Sequence, residues 1–119
     1  MKARLSAIGK NEDSDHGLYA AIGAITTPEE AKRFFEDLCT PTEIQAMVDR
    51  WRVVAFIKAG IPYRQIYDET GVSVTTIGRV ARCLMLGEGG YNLIYQRLEK
   101  KHENVNKVKN SHSKKRSSK

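Results

Sequence analysis

The sequence predicts an all-α fold of six helices. Apolar residues recur at spacings of three and four in successive segments, which is the periodicity of helices with one buried face. Two Thr-Pro pairs, each followed by a glutamate, are typical helix starts, and Gly71 and Ser73 separate two short helices as in a helix-turn-helix. We expect a mobile N-terminus (residues 1–12), one helical domain (13–98) and a disordered basic tail (99–119).

The first helix is predicted from Ser14 to about Ile25, because Leu18, Ile22 and Ile25 lie near one face. Two glycines within the segment weaken it. A helix that is marginal by propensity and apolar along one side needs a partner surface in order to form.

The second and third helices each begin at a capping box. In TPEE (27–30) and TPTE (40–43), threonine stands at the N-cap, proline at N1 and glutamate at N3. These signals predict helices from Pro28 to about Cys39 and from Pro41 to about Ala59. The third helix is apolar over a wider arc than a surface helix needs, and about 85 residues build only a small core. We therefore expect this helix to form part of a dimer interface.

Residues 62–86 are predicted to form the helix-turn-helix. Pro62 suits the first position of a short helix that runs to about Glu69. Gly71 suits the left-handed position after that helix, and Ser73 suits the N-cap of the next one. The alternative from spacing alone is a tight helical hairpin in an ordinary α-helical protein.

The second helix of this motif has two contrasting faces. Its apolar face is predicted to complete a small core formed by Ile66, Val72, Ile77 and Val80. Thr75, Arg79 and Arg82 recur on the opposite face, which has no acidic residue. One face can therefore pack while the other contacts DNA.

A short last helix is predicted at Tyr91, Ile94, Tyr95 and Leu98, with disorder from Glu99 onward. Residues 99–119 hold eight Lys or Arg and two Glu, whereas residues 1–98 hold twelve of each sign, so the net charge of +6 belongs to the tail. A basic tail on a neutral body suits salt-sensitive attraction to a polyanion. The alternative is a solubilising tail with no fixed partner.

Other functional classes lack the residues that they need. No apolar run reaches the ~20 residues of a membrane span, and the first ten residues lack the apolar region of a secretory signal, so we expect a cytoplasmic protein without a membrane partner. Cys39 and Cys83 are expected to be reduced, half-buried thiols, and neither a metal nor a cofactor is predicted. No histidine accompanies a nucleophile and no phosphate-binding loop is present, so no enzymatic activity is expected.

A set of residues from the third helix through the helix-turn-helix carries a family resemblance: Thr40, Pro41, Arg50, Arg52, Gly60, Arg64, Gly71, Thr76, Ile77 and Arg79. In their order and spacing they resemble the tryptophan repressor superfamily, in its TrpR-like YerC/YecD branch. The resemblance runs from about Leu18 to Leu98. It implies a six-helix, intertwined homodimer in which the first helices cross onto the partner subunit.

The resemblance further implies that the helix-turn-helix of each subunit enters the major groove of double-stranded DNA, with half-sites about one helical turn, ~34 Å, apart. The arginine fork of Arg64 would donate twice to a guanine edge. Positions 74–76 would lie over bases, partly through water, and hydroxyl and guanidinium groups would contact phosphates. The predicted DNA-binding residues are Arg64, Ser73, Val74, Thr75, Thr76, Arg79 and Arg82.

The resemblance also implies a candidate effector pocket, formed by Thr40, Arg50, Arg79, Val80 and Cys83. In the repressor two arginines sandwich the indole of tryptophan, and this chain has both, at Arg50 and Arg79. Val80 and Cys83 replace a glycine and a serine of the repressor. They disfavour tryptophan, because valine needs the volume of the indole and a thiol is a poor acceptor for the ammonium group.

Two interpretations of the pocket therefore stay open. A different small ligand could bind there. The interpretation that we prefer is that Arg50 and Arg79 pair with Asp49, Glu69 or phosphates.

Two functions compete at this point. The first is a sequence-specific, DNA-binding transcriptional regulator, most simply a repressor that occupies its site as a homodimer. The second is a protein-interaction module that uses its helix-turn-helix to contact a protein and binds DNA only non-specifically. The absence of lysine from the motif keeps the second function open.

Overall fold

The computed structural model describes the backbone of residues 14–117 and the side chains of residues 14–106. It confirms the predicted all-α class, with six helices in this range. They are α1 (Ser14–Gly23), α2 (Pro28–Leu38), α3 (Pro41–Lys58), α4 (Tyr63–Thr70), α5 (Val74–Leu86) and α6 (Gly90–Ser117). Backbone contacts group the chain into two compact units, one ending at Gln45 and the other beginning at Ala46. The N-terminal segment 1–12, which is predicted to be mobile, lies outside the described residues.

Hydrogen bonds at the starts of α2 and α3 confirm both capping signals. At α3, the Glu43 N–H donates to Thr40 Oγ1 at 3.2 Å, and the Thr40 N–H donates to Glu43 Oε1 at 2.8 Å, which completes a reciprocal capping box. At α2 the Glu30 N–H donates to Thr27 Oγ1 at 3.1 Å. The Glu30 carboxylate accepts a hydrogen bond from the N–H of Thr26, at 3.0 Å. In a standard capping box it would accept from the N–H of the N-cap residue, Thr27.

The turn between α4 and α5 forms as its residue types require. Gly71 has φ of 75°, in the left-handed region, and its N–H donates to Tyr67 O at 2.8 Å. Ser73 is the N-cap of α5. The predicted start of α4 is corrected by one residue, because Pro62 has ψ of 145° and is the N-cap rather than the first helical residue.

Six buried apolar side chains in the second unit form the core: Val53, Val54, Ile66, Val72, Ile77 and Val80. The four residues predicted for the helix-turn-helix core are all among them, and none is more than 4% exposed. This core ties α4, the turn and α5 to α3 and so fixes the orientation of the motif.

The apolar side of α6 is partly packed. Tyr91 and Tyr95 lie against the core. The Tyr91 ring stacks on Trp51 with centroids 6.3 Å apart, and Lys58 Nζ lies 5.1 Å from the centre of the Tyr95 ring. The other two residues of the predicted stripe, Ile94 and Leu98, are 44% and 42% exposed.

The predicted end of the last helix is wrong, because α6 continues to Ser117 through a segment predicted to be disordered. The low apolar content and the lysines of residues 99–117 favoured disorder. The same stretch contains neither glycine nor proline, and lysine and glutamate are good helix formers. The predicted first helix is also two residues too long, since α1 ends at Gly23. Among the described residues, no helix combines the length and apolarity needed to cross a membrane.

Candidate nucleic-acid interface

Helix α5 presents a polar face because its other face is anchored in the core. Ile77, Val80 and Ala81 are buried, and these positions hold the helix against α3 and α4. The predicted DNA-contacting residues fall on the remaining surface. Within α5 the exposed ones are Val74, Thr75, Arg79 and Arg82, while Thr76 is half-buried. Contacts of these residues with DNA stay a prediction.

The N-terminus of α5 is organised by two hydroxyl side chains. The Thr76 N–H donates to Ser73 Oγ at 3.1 Å, and the Ser73 hydroxyl donates to Thr76 Oγ1 at 2.9 Å. The Thr76 hydroxyl proton is therefore left to donate elsewhere. A helix N-terminus with exposed donors favours an anionic oxygen, such as that of a phosphate.

Arg64 lies in the first turn of α4 and is exposed. Within the described residues its guanidinium makes no hydrogen bond to another side chain. A planar, unengaged fork is suited to two parallel hydrogen bonds with a guanine edge. The sequence placed Arg64 correctly at the start of α4, although the helix begins one residue later than predicted.

A cleft of about 230 Å³ lies between α3, α5 and α6. Its lining includes Arg50, Arg79, Val80 and Cys83, four of the five residues predicted for the effector pocket. The fifth, Thr40, caps the start of α3 in the first unit. Sequence reasoning missed Tyr91, whose place in an apolar stripe indicated only packing, and it assigned Thr76 to DNA contact alone.

The structure corrects one part of the preferred interpretation of the two arginines in this cleft, the pairing with Glu69. Across residues 14–106, neither Arg50 nor Arg79 forms an ion pair with a carboxylate. Glu69, one of the predicted partners, instead accepts a hydrogen bond from Gln65 Nε2 at 3.3 Å. Glu69 is therefore not the partner of either arginine, and phosphates or a bound anion are the partners that suit both exposed guanidinium groups.

The chemistry of the cleft differs from a tryptophan site at two positions. Val80 is 1% exposed and belongs to the hydrophobic core, and it lines the cleft together with Arg79. Cys83 is exposed, which corrects the expectation of a half-buried thiol there, whereas Cys39 is half-buried as expected. A thiol remains a weak acceptor whatever its exposure.

Six helices, a capped helix-turn-helix and an outer face of arginine and threonine define the fold of a DNA-binding regulator. The chain belongs to the Trp repressor protein family, whose model matches residues 15–99. This family is regulatory and DNA-binding rather than enzymatic.

Similar proteins support the same assignment. The Bacillus subtilis (strain 168) protein YerC is 40% identical over 82 residues, which are 69% of this chain and 79% of YerC. A crystal structure of a proposed Trp repressor from Staphylococcus aureus is 39% identical with a TM-score of 0.69, covering 73% of this chain and 87% of that one. A TrpR-like protein from Eubacterium eligens ATCC 27750 is 36% identical with a TM-score of 0.67, covering 76% and 92%.

Proposed function

We propose that this protein is a sequence-specific transcriptional regulator that acts in the cytoplasm as a homodimer and represses by occupying its DNA site. The observation that carries the proposal is the division of α5 into two faces. Ile77 and Val80 fix the helix in the core, while Thr75, Arg79 and Arg82 stay exposed on the other face. A rigid helix with an outward polar face is what contact with base edges in the major groove requires.

In this proposal the side chains have two roles, and Thr76 has both. Arg64 and positions 74–76 contact base edges, with Val74 available for apolar contact with a thymine methyl group. Ser73, Thr76 and Arg82 contact phosphates and set the register of the protein on the duplex. Arg79 is exposed on the same helix and contacts phosphate as well.

The apolar surface of a single chain supports the dimer. On α3, Val48 is 47% exposed and Trp51 is 37% exposed, and on α6 Ile94 and Leu98 are exposed to a similar degree. A second copy would cover such side chains and add to a small core. Two copies would also present two helix-turn-helix motifs to half-sites about one helical turn apart.

Tryptophan is not part of the proposed mechanism. Val80 fills space that an indole would need, and the Cys83 thiol is poorly suited to hold an ammonium group. The unpaired guanidinium groups of Arg50 and Arg79 are compatible with a different, anionic small molecule, whose identity the side chains do not specify. The simplest form of the proposal therefore needs no effector.

Selection of bound duplexes from a random DNA pool tests this function directly. The full-length protein should enrich one two-part sequence, with its halves about ten base pairs apart, in ~150 mM salt. Repeating the selection with amino acids added tests for an effector. Enrichment of no sequence would contradict the proposal, and a solitary subunit at micromolar concentration by light scattering would contradict the homodimer.

The second candidate function is a protein-interaction module. It is favoured by the lack of lysine on the motif and by Val74, an apolar side chain 50% exposed on α5. A module of this kind should bind all duplexes alike through charge, and that binding should disappear in ~150 mM salt. Sequence-dependent binding that survives this salt concentration excludes it.

A further inference from the structure

We infer that Arg52 is a positioning residue for DNA recognition, because it joins α3 to the turn that orients α5. Its Nη1 donates a hydrogen bond to the carbonyl oxygen of Thr70 at 3.3 Å. Thr70 is the last residue of α4, where helix carbonyls lack partners within the helix. The inference rests on the proposed function, since it assigns Arg52 a part in sequence recognition.

The Thr70 side chain forms hydrogen bonds with residues on both sides of the turn. Its hydroxyl donates to Ile66 O at 2.7 Å, and it accepts from the Val72 N–H at 3.1 Å. Together with the left-handed Gly71, these bonds fix the path of the chain from α4 into α5. The Arg52 guanidinium adds a polar bond from a different helix to this local network.

Arg52 lies beside the core on α3, since the next two residues, Val53 and Val54, are completely buried. The apolar contacts hold α4 and α5 against α3, but apolar packing is non-directional. A hydrogen bond from a charged group has a preferred geometry and is stronger than a neutral one. Arg52 therefore sets the angle at which α5 leaves the turn, without contacting DNA.

Charge alone does not explain this placement. Arg52 is exposed, and across residues 14–106 it forms no ion pair with a carboxylate. Its bond instead satisfies a helix-end carbonyl, as basic side chains near helix C-termini commonly do. Without this hydrogen bond we expect the turn between α4 and α5 to be less rigid. Contacts with base edges, which depend on precise position, should then weaken more than contacts with phosphates, which depend on charge.

The test compares Arg52→Gln and Arg52→Lys with the parent, using the full-length protein. Arg97→Gln is the matched control, because Arg97 is an exposed arginine of α6 whose side chain makes no hydrogen bond in the described part of the chain. Dissociation constants are measured for a duplex of selected sequence and for a random-sequence duplex. The salt dependence of both is measured, together with amide exchange at Gly71 and Val72.

We expect Arg52→Gln to lower the ratio of specific to non-specific affinity by about three- to tenfold. Its non-specific affinity and salt slope should equal those of Arg97→Gln, and exchange at Val72 should become faster. Arg52→Lys should recover part of the ratio, because an ammonium still supplies one donor.

Two results would overturn the inference. Equal losses on both duplexes, with a salt slope lower by about 0.9, would make Arg52 a direct phosphate contact. An unchanged ratio of specific to non-specific affinity would mean that the Arg52–Thr70 hydrogen bond has no part in sequence recognition, even if amide exchange at Val72 became faster. A parent protein without any sequence preference is a separate outcome: it contradicts the proposed function itself, and this inference with it.

Discussion

Ser73 and Thr76 are bonded to each other twice at the N-terminus of α5. The backbone N–H of Thr76 donates to Ser73 Oγ at 3.1 Å, and the Ser73 hydroxyl donates to Thr76 Oγ1 at 2.9 Å. The cap that starts the helix therefore also orients the hydroxyl group that we propose for phosphate contact. Folding stability and the proposed DNA binding therefore depend on the same pair of side chains. Substitutions at Ser73 can separate the two effects.

Replacing Ser73 by alanine removes the cap and should cost about 1 kcal/mol of folding stability. Replacing it by aspartate keeps an N-cap acceptor and adds a favourable charge at the helix N-terminus. Ser73→Asp should therefore unfold at a temperature close to that of the parent but bind DNA at least about tenfold more weakly, because its carboxylate repels phosphates. Thermal unfolding and gel-shift titration measure the two effects.

Thr27→Asp is the matched control for this change. Thr27 is the N-cap of α2, so the same hydroxyl-to-carboxylate exchange takes place at another helix start. We expect parent-like DNA affinity for Thr27→Asp. Ser73→Asp with undiminished affinity would exclude the α5 N-terminus from the DNA interface.

Arg64→Ala should weaken binding to the selected sequence by roughly 1 to 3 kcal/mol and relax discrimination at one base pair. The physical reason is the loss of two parallel hydrogen bonds to a guanine edge. Binding competition with single-base variants of the site locates the affected position. Arg97→Ala controls for the lost charge, and our assignment of base recognition to Arg64 is wrong if both variants bind the parent's best sequence equally well.

The capping box of α3 predicts a pH dependence of folding. Two hydrogen bonds hold the pKa of Glu43 below its ordinary value: the larger effect comes from the backbone N–H of Thr40 and the smaller from the Thr40 side chain. The stabilisation is therefore complete above the ordinary carboxyl pKa, about 4.3, and is lost as the pH falls through the lower pKa of the folded state. Glu43→Gln should lower the unfolding temperature at pH 7, and the difference from the parent should shrink toward pH 3.

Glu36→Gln provides the comparison for this pH series. Glu36 lies on an exposed surface of α2, 3.9 Å from Lys32 Nζ, and exposed pairs of this kind contribute little to stability. Its unfolding curve should follow that of the parent at neutral pH. A constant gap between Glu43→Gln and the parent from pH 7 to pH 3 would be inconsistent with a charged cap.

Val80→Ala should destabilise the fold by about 2 kcal/mol, from two lost methyl groups and the cavity that remains. Val80 is 1% exposed, whereas Val74 on the same helix is 50% exposed. The identical exchange at Val74 should therefore change the free energy of unfolding by less than about 0.5 kcal/mol. Urea denaturation of both variants measures the difference, and equal values would mean that Val80 is not a core residue.

Removal of the residues after Glu99 should weaken binding to all sequences alike and reduce the salt slope, because seven lysines and one arginine are lost. A chain of unchanged length with these basic residues replaced by glutamine should behave in the same way. Gel-shift titrations at several salt concentrations, on selected and random duplexes, give both quantities. A loss confined to the selected sequence would indicate base contacts from this segment.

The elements that the sequence predicted well depend on local chemistry. Gly71 and Ser73 define the turn within three residues, and each of the two Thr-Pro starts carries its own capping glutamate. Among the core positions of the helix-turn-helix, Ile77 and Val80 follow from helical periodicity, which is also local. These features need no knowledge of distant contacts.

The missed features depend on residues that are far apart or on competing local tendencies. Arg52 and Thr70 are separated by 18 residues, and neither residue type signals the other. Tyr91 lines the cleft because α6 packs beside α3, which periodicity alone cannot indicate. For residues 99–117, composition favoured disorder while helix propensity favoured a helix, and the latter prevailed.

The stacking of Trp51 on Tyr91 gives the protein a built-in optical probe. Trp51 is the only tryptophan of the chain, and Tyr91 forms part of the cleft that holds Arg50 and Arg79. A molecule that fills this cleft lies against the Tyr91 ring, on which the indole of Trp51 rests. Intrinsic fluorescence of the unlabelled protein can therefore report small-molecule occupancy, and libraries of compounds can be screened without DNA or a dye.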